Sequence, residues 1–176
     1  MSESNLPSAG PDVRDEGVLQ VVGFRVAEED FAVDILEIVG IERLDAVRQL
    51  PKMPAFVEGV MRIREEIVPL VKLRTRFGFA ESGRDEKARV LVVEIGEGTV
   101  GFIVDAVSAV RRFARNQVEP APPLALSEDS RFVRGVLRSG REMLVLLDPF
   151  SLLREEEKRL LRSAVDATER EAVASA

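Results

Sequence analysis

Three groups of residues in this sequence have types and spacings that could do chemistry. Gly96-Glu97-Gly98-Thr99-Val100-Gly101 satisfies the G-x-G-x-x-G pattern of dinucleotide-binding turns. That use needs a strand before the glycines and a helix N-terminus after them, so that amides and helix dipole meet a pyrophosphate. Here the sequel is VGFIVD, another strand pattern, so the glycines are read as a hairpin turn and no cofactor is expected. Asp34 and Asp105 form the second group. Two carboxylates suit acid–base work or a divalent cation, but they recur at matching turns of similar segments. They are therefore read as local backbone acceptors, an Asx-type role performed twice. The third group is a run of cations, Arg111, Arg112, Arg115, Arg131, Arg134, Arg138 and Arg141. Such a run steers acidic partners, yet Glu119, Glu128, Asp129 and Glu142 interleave with it and suit an ordinary solvated face equally well.

Composition narrows the chemistry further. The 176 residues include no Cys and no His, which removes disulfides, thiolate metal sites, and the commonest general base and metal ligand. No nucleophile–base pair is recognisable, so no catalytic residue, metal ligand or cofactor is assigned. The net charge of −6 and pI near 5.0 oppose nucleic-acid binding, as does the lack of Trp and Tyr for base stacking. Residues 1–17 carry neither a basic n-region nor an apolar run, and no segment approaches the roughly 20 apolar residues of a membrane span. A cytoplasmic, soluble protein is expected.

The elements that must position these groups are mostly strands. Residues 1–17, with Pro7, Gly10, Pro11 and Gly17 among acids and serines, read as a flexible lead-in. From Val18 the pattern alternates: Val22, Phe24 and Val26 share one face while Gly23 and Arg25 take the other. Short apolar runs follow at 67–71, 90–95, 100–104 and 143–147, bounded by glycine or charge, which favours an all-β fold. A brief helix is expected over Leu73–Phe77, stopped by Gly78. A second is expected from Pro149, with Asp148 as N-cap, running through Val165 before the last ten residues fray.

The chain also repeats. FVEGVMRIREEIVPLV (56–71) aligns without a gap to FVRGVLRSGREMLVLL (132–147), 76 positions later, and FAVDIL (31–36) to FIVDAV (102–107), 71 positions later. Two β units in tandem are expected. Each is too small to hold a strong core alone, so the units should bury apolar surface against one another.

Three segments go beyond what propensity requires: DILEIVGIERL, GVMRIREEIVPLVKLRTRFG and NQVEPAPPL. From about Val18 to Leu153 the order of these blocks resembles the CheW family of chemotaxis coupling proteins. Val33-Asp34-Ile35-Leu36 resembles its Ile-Asp-Ile-Leu, and the second segment resembles its Gly-Val strand, Asn-Leu-Arg-Gly turn and Ile-Val-Pro block. The resemblance implies two small five-stranded Src-homology-type β-barrels around a shared core, at 18–84 and 85–150, together one domain over 18–153. Residues 1–17 and 151–176 would be an N-terminal tail and a C-terminal helix with a frayed end.

It further implies a non-catalytic adaptor. CheW proteins bind the regulatory domain of the CheA-type histidine kinase and the cytoplasmic tip of chemoreceptors, alternating with kinase domains, and with other CheW-like proteins, in closed rings. Carried over position by position, the partner-binding surface comprises Ile38, Gly40, Ile41, Gly59, Arg62, Arg64, Gly101, Val107, Val110 and Gly135. Val107 and Val110 suit core packing equally well, and Gly59 and Gly135 suit a purely backbone requirement. The chain departs from the family pattern at four places. Arg62 stands for Asn, Glu65 for the glycine after the arginine, Gly40 for an acid, and Lys72 for an Asp. These departures imply a divergent member tuned to its own partners. The runner-up reading is the CheW-like module of a receiver-containing signalling protein, which needs about 120 further residues with a phosphorylatable acidic pocket.

Overall fold

Runs such as VLVVEI, apolar at nearly every position, require a strand buried on both faces. The computed structural model, which describes residues 17–83, 85–121 and 131–174, shows how that happens. Ten strands follow in order: β1 (Val18–Val26), β2 (Glu29–Asp34), β3 (Gly40–Arg43), β4 (Val57–Ile63), β5 (Glu66–Lys72), β6 (Arg89–Ile95), β7 (Gly98–Val104), β8 (Ala106–Ala114), β9 (Val133–Ser139) and β10 (Glu142–Leu147). Helix α1 (Leu73–Arg76) follows β5, and α2 (Glu155–Ala174) ends the described chain.

The strands form two five-stranded sheets, ordered β8-β1-β2-β10-β9 and β3-β6-β7-β5-β4. Each curls into a barrel. The first is closed where Glu119 and Val136 exchange backbone hydrogen bonds of 2.9 and 2.8 Å, the second where Arg48 and Val60 do so at 2.9 and 2.9 Å. The two orders superpose strand for strand: β5 runs parallel to β7 with Leu70 opposite Gly101, and β10 parallel to β2 with Leu146 opposite Ala32.

The paired barrels match the all-β expectation, but a division at residues 84 and 85 does not describe the sheets. Strands β1 and β2 join β8, β9 and β10, while β3 to β7 form the second sheet alone. The chain crosses between barrels twice, at Ile35–Val39 and at Asp105. Each sequence repeat is thus split between the two barrels.

Three apolar clusters result. One lies inside each barrel: Leu19, Val21, Phe113, Leu137, Leu144 and Leu146 in the first, and Met61, Ile63, Val68, Leu70, Val90 and Val92 in the second. The third lies between the barrels and draws Val22, Phe24, Val26 and Val33 from one sheet and Leu91, Val93, Phe102 and Val104 from the other. Alternate residues of β6 therefore serve different clusters, and the strand has no polar face to spare.

Helix α1 stops as expected, with Gly78 at φ 82° donating to the Thr75 carbonyl at 3.0 Å. The C-terminal segment differs. Asp148 caps only a 3₁₀ turn, Pro149–Ser151, accepting from the Phe150 amide at 3.0 Å. A separate helix then starts at Glu155, where the Glu157 carboxylate accepts from the Arg154 amide at 2.8 Å. It remains helical to Ala174 rather than fraying, with Leu161, Ala164 and Thr168 buried. Ion pairs of 2.9 Å tie its two ends down, Arg76 to Glu157 and Arg48 to Glu171. The expected N-terminal lead-in lies outside the described residues except for Gly17, whose carbonyl accepts from the Arg115 amide at 2.9 Å.

Candidate functional site

The first crossover and the edge strand after it expose three large apolar residues, among them Leu36, the most exposed large apolar side chain of the described residues. Asp34 turns the chain out of β2: its carboxylate accepts from the Leu36 amide at 2.9 Å and caps the 3₁₀ turn Ile35–Glu37. Glu37 anchors this turn to β9 through two bonds from the Arg134 guanidinium, 3.0 and 2.8 Å, and Asp148 adds a third contact at 3.1 Å. Burial alone would depress the Arg134 pKa. The hydrogen bond and charge of Glu37, with the nearby carboxylates of Asp148 and Asp34, more than offset this and raise it. A rigid base of this kind displays side chains that would otherwise seek cover. Leu36 is 83% exposed, Val39 48% and Ile41 43%, although the Val39 amide is fixed to the Val92 carbonyl at 2.8 Å.

The β4–β5 hairpin lies beside this strip. Ile63 pairs with Glu66, leaving a two-residue loop of Arg64 and Glu65 with φ of 52° and 71°, the pattern of a type I′ turn. The glycine replaced by Glu65 is thus a real conformational demand, costing on the order of 1 kcal/mol for each non-glycine residue. Arg64, its side chain 76% exposed, reaches the Glu42 carboxylate at 3.6 Å, which links the turn to β3. Arg62 is exposed on β4.

The structure therefore gathers Gly40, Ile41 and Arg64 on one surface and places the other candidates elsewhere. Ile38 is half-buried and packs on the core between the barrels, as does Val107. Val110 is 48% exposed on β8, the edge strand of the other sheet. Gly101 is buried inside its barrel, where an added Cβ would stand 2.5 Å from Val90 and 2.8 Å from Leu70 side-chain atoms, so it presents no surface to a partner. At Gly59 and Gly135 a Cβ would fall 2.3 Å from the Arg48 carbonyl oxygen and 2.5 Å from that of Glu119. Those carbonyls belong to the bridges that close the two barrels, so close backbone approach accounts for both glycines. Leu36 and Val39 were missed. The signal available was four apolar residues in five, Ile35 to Val39, more than one half-buried turn absorbs.

The remaining candidates resolve as follows. Gly96, at φ 62°, turns the β6–β7 hairpin, with Ile95 opposite Gly98. Asp105 differs from its repeat mate Asp34. Its carboxylate accepts from the Ala27 amide at 2.7 Å, across 78 residues, and from Arg74 Nε at 3.0 and 3.2 Å. It therefore clamps the β1–β2 turn of one barrel to α1 of the other. Lys72 lies 3.7 Å from Glu58 and 3.1 Å from Glu81, so this departure from the family pattern is balanced within the chain. In the other repeat, Arg134 and Asp148 hold the corresponding positions with the charges exchanged. Of the arginine run, Arg111, Arg134 and Arg138 are paired with Glu142, Glu37 and Glu119, as on a solvated face. Among the described residues no group of three or more acidic side chains is arranged to hold a metal ion, and no helix is long and apolar enough to cross a membrane.

Two small barrels fused through a common core, with strands exchanged between them, define a class of double-barrel domain. The chain belongs to the CheW-like domain family, whose model matches residues 20–157. It is 34% identical over 138 residues to the chemotaxis protein CheW of Klebsiella aerogenes, covering 78% of this chain and 83% of that one. It is 28% identical over 131 residues to the protein FrzA of Myxococcus xanthus, covering 74% and 81%. Among solved structures it resembles the scaffolding protein TtCheW from Thermoanaerobacter tengcongensis, with TM-score 0.72, 30% identity, and coverage of 79% of this chain and 94% of that one.

Proposed function

We propose that this chain is a non-catalytic adaptor that couples chemoreceptor tips to the regulatory domain of a CheA-type histidine kinase in a cytoplasmic signalling array. The observation that carries the reading is the strip Leu36, Val39 and Ile41. These large apolar side chains are held in solvent on an anchored crossover and the edge strand that follows it, instead of folding inward. Exposed apolar groups on an edge strand, rimmed by charge from Arg64 and Glu42, suit a protein partner better than a small molecule. Membership of a family that includes a scaffolding protein supports the same reading. Arg64 supplies charge-assisted hydrogen bonds at the rim, while Arg62 on β4 and Val110 on the other barrel supply contacts away from the strip. Each interface is modest, and repetition around a closed array raises the effective concentration.

The test is a titration of the full chain against the cognate kinase's regulatory domain, with and without a receptor-tip fragment. Saturable binding with Kd below about 100 μM is expected, weakened about tenfold or more by Leu36→Asp or Ile41→Asp. Absence of saturation with either partner near 1 mM refutes the proposal.

A further inference from the structure

The two repeats turn their corresponding hairpins differently. Between β9 and β10 the loop is Gly140-Arg141, where glycine takes the positive φ of 62°. Between β6 and β7 it is Gly96-Glu97, again with glycine at φ 62°. The β4–β5 loop holds two charged residues, Arg64 and Glu65, both in the left-handed region. Nothing among the described residues compensates. Both residues are exposed, the Arg64 contact to Glu42 is long at 3.6 Å, and Glu65 has no hydrogen bond or ion pair among the described residues. Strain at an exposed turn, with no internal return, marks residues held for something outside the chain. Because Glu42 already faces Arg64, the unmatched charge at the tip is the Glu65 carboxylate.

We infer that Glu65 is a specificity-determining contact: the strained turn holds its carboxylate out to meet a guanidinium or ammonium group of the protein that docks beside Arg64. This rests on the adaptor reading above and adds the chemistry required of the partner. A carboxylate in a fixed turn selects a cation by charge-assisted hydrogen bonding and repels partners with an acid at that point.

Three variants of the full chain test it, each titrated against the kinase regulatory domain and the receptor-tip fragment and each melted. Glu65→Gln keeps size and backbone demand while removing charge: Tm should stay put and affinity for one of the two partners fall about tenfold or more. Glu65→Gly removes strain and carboxylate together: Tm should rise by about 2–4 °C while affinity for that partner falls as far. Glu97→Gln, which removes an equal charge from the glycine-turned β6–β7 hairpin, should leave both affinities unchanged. If Glu65→Gln binds both partners as wild type does, the inference fails and the adaptor reading stands. Equal losses from Glu97→Gln and Glu65→Gln also overturn it, since general electrostatics would then suffice. A Glu65→Gly protein no more stable than wild type removes the premise of strain. If wild type binds neither partner, both readings fall.

Discussion

Asp34 and Asp105 occupy equivalent places in the repeats, yet removing their carboxylates should cost very different amounts. In Asp34→Ala the main loss is one exposed capping bond, to the Leu36 amide, typically about 1 kcal/mol. In Asp105→Ala the part-buried Ala27 amide loses its acceptor. Leaving such a donor unsatisfied costs about 1–3 kcal/mol. Arg74, its side chain 25% exposed, keeps only its 2.6 Å bond to the Ala80 carbonyl, adding about 1 kcal/mol for the lost charge-assisted bond. The sum is about 2–4 kcal/mol, or about 4–16 °C in Tm for a chain of this length. Urea titration should show a lower midpoint with unchanged slope. A double-mutant cycle with Arg74→Ala should give a coupling of at least about 0.5 kcal/mol. Equal destabilisation by Asp34→Ala and Asp105→Ala, or zero coupling to Arg74, would refute the inter-barrel clamp.

Three further outcomes are expected. Gly59→Ala and Gly135→Ala should each destabilise by about 3 kcal/mol or more, at the upper end of overpacking costs, because the new Cβ meets a backbone carbonyl. Gly101→Ala, which meets side-chain tips, should cost about 1–3 kcal/mol. Gly83→Ala, with nothing within 4 Å, is the neutral control in the same thermal melts. Lys72→Asp should cost about 1–2 kcal/mol by setting an acid beside Glu58 and Glu81. Adding Glu58→Arg, which copies the other repeat's arrangement, should recover most of that loss, and a double variant as weak as the single one would discount the pairing. With no His or Cys, stability measured from pH 6 to 8 should vary by less than about 0.5 kcal/mol. Glu155, whose pKa is lowered by its hydrogen bond to Lys158, makes a contribution that is fully present above the ordinary glutamate range and is lost as the pH falls from there through the lowered pKa.

The repeat itself was plain in the sequence, because Phe56/Phe132, Gly59/Gly135 and Leu70/Leu146 stand at one offset and lie at matching places in matching sheets. The sheet each copy joins was not. Alignment tells which segments are alike, and β2 looks like β7 whether the chain then stays in its barrel or leaves it. The turn at Glu65 was legible from one missing glycine, since residue type constrains φ directly. Gly101 was misjudged because buried and exposed glycines read alike until the neighbours that crowd them, Val90 and Leu70, are brought in by the fold. Likewise Asp34 could be read from its own next two residues, whereas Asp105 acts on an amide 78 positions away.

The connectivity of the sheets has a consequence for synthesis. All five strands of the second barrel emerge together, between Gly40 and Val104, and can close while the rest of the protein is still on the ribosome. The hairpin made first, β1–β2, must wait for the strands made last. Until then Val22, Phe24 and Val33 have no sheet to complete and only the finished neighbour to lean on, so the earlier barrel serves as template for the later one.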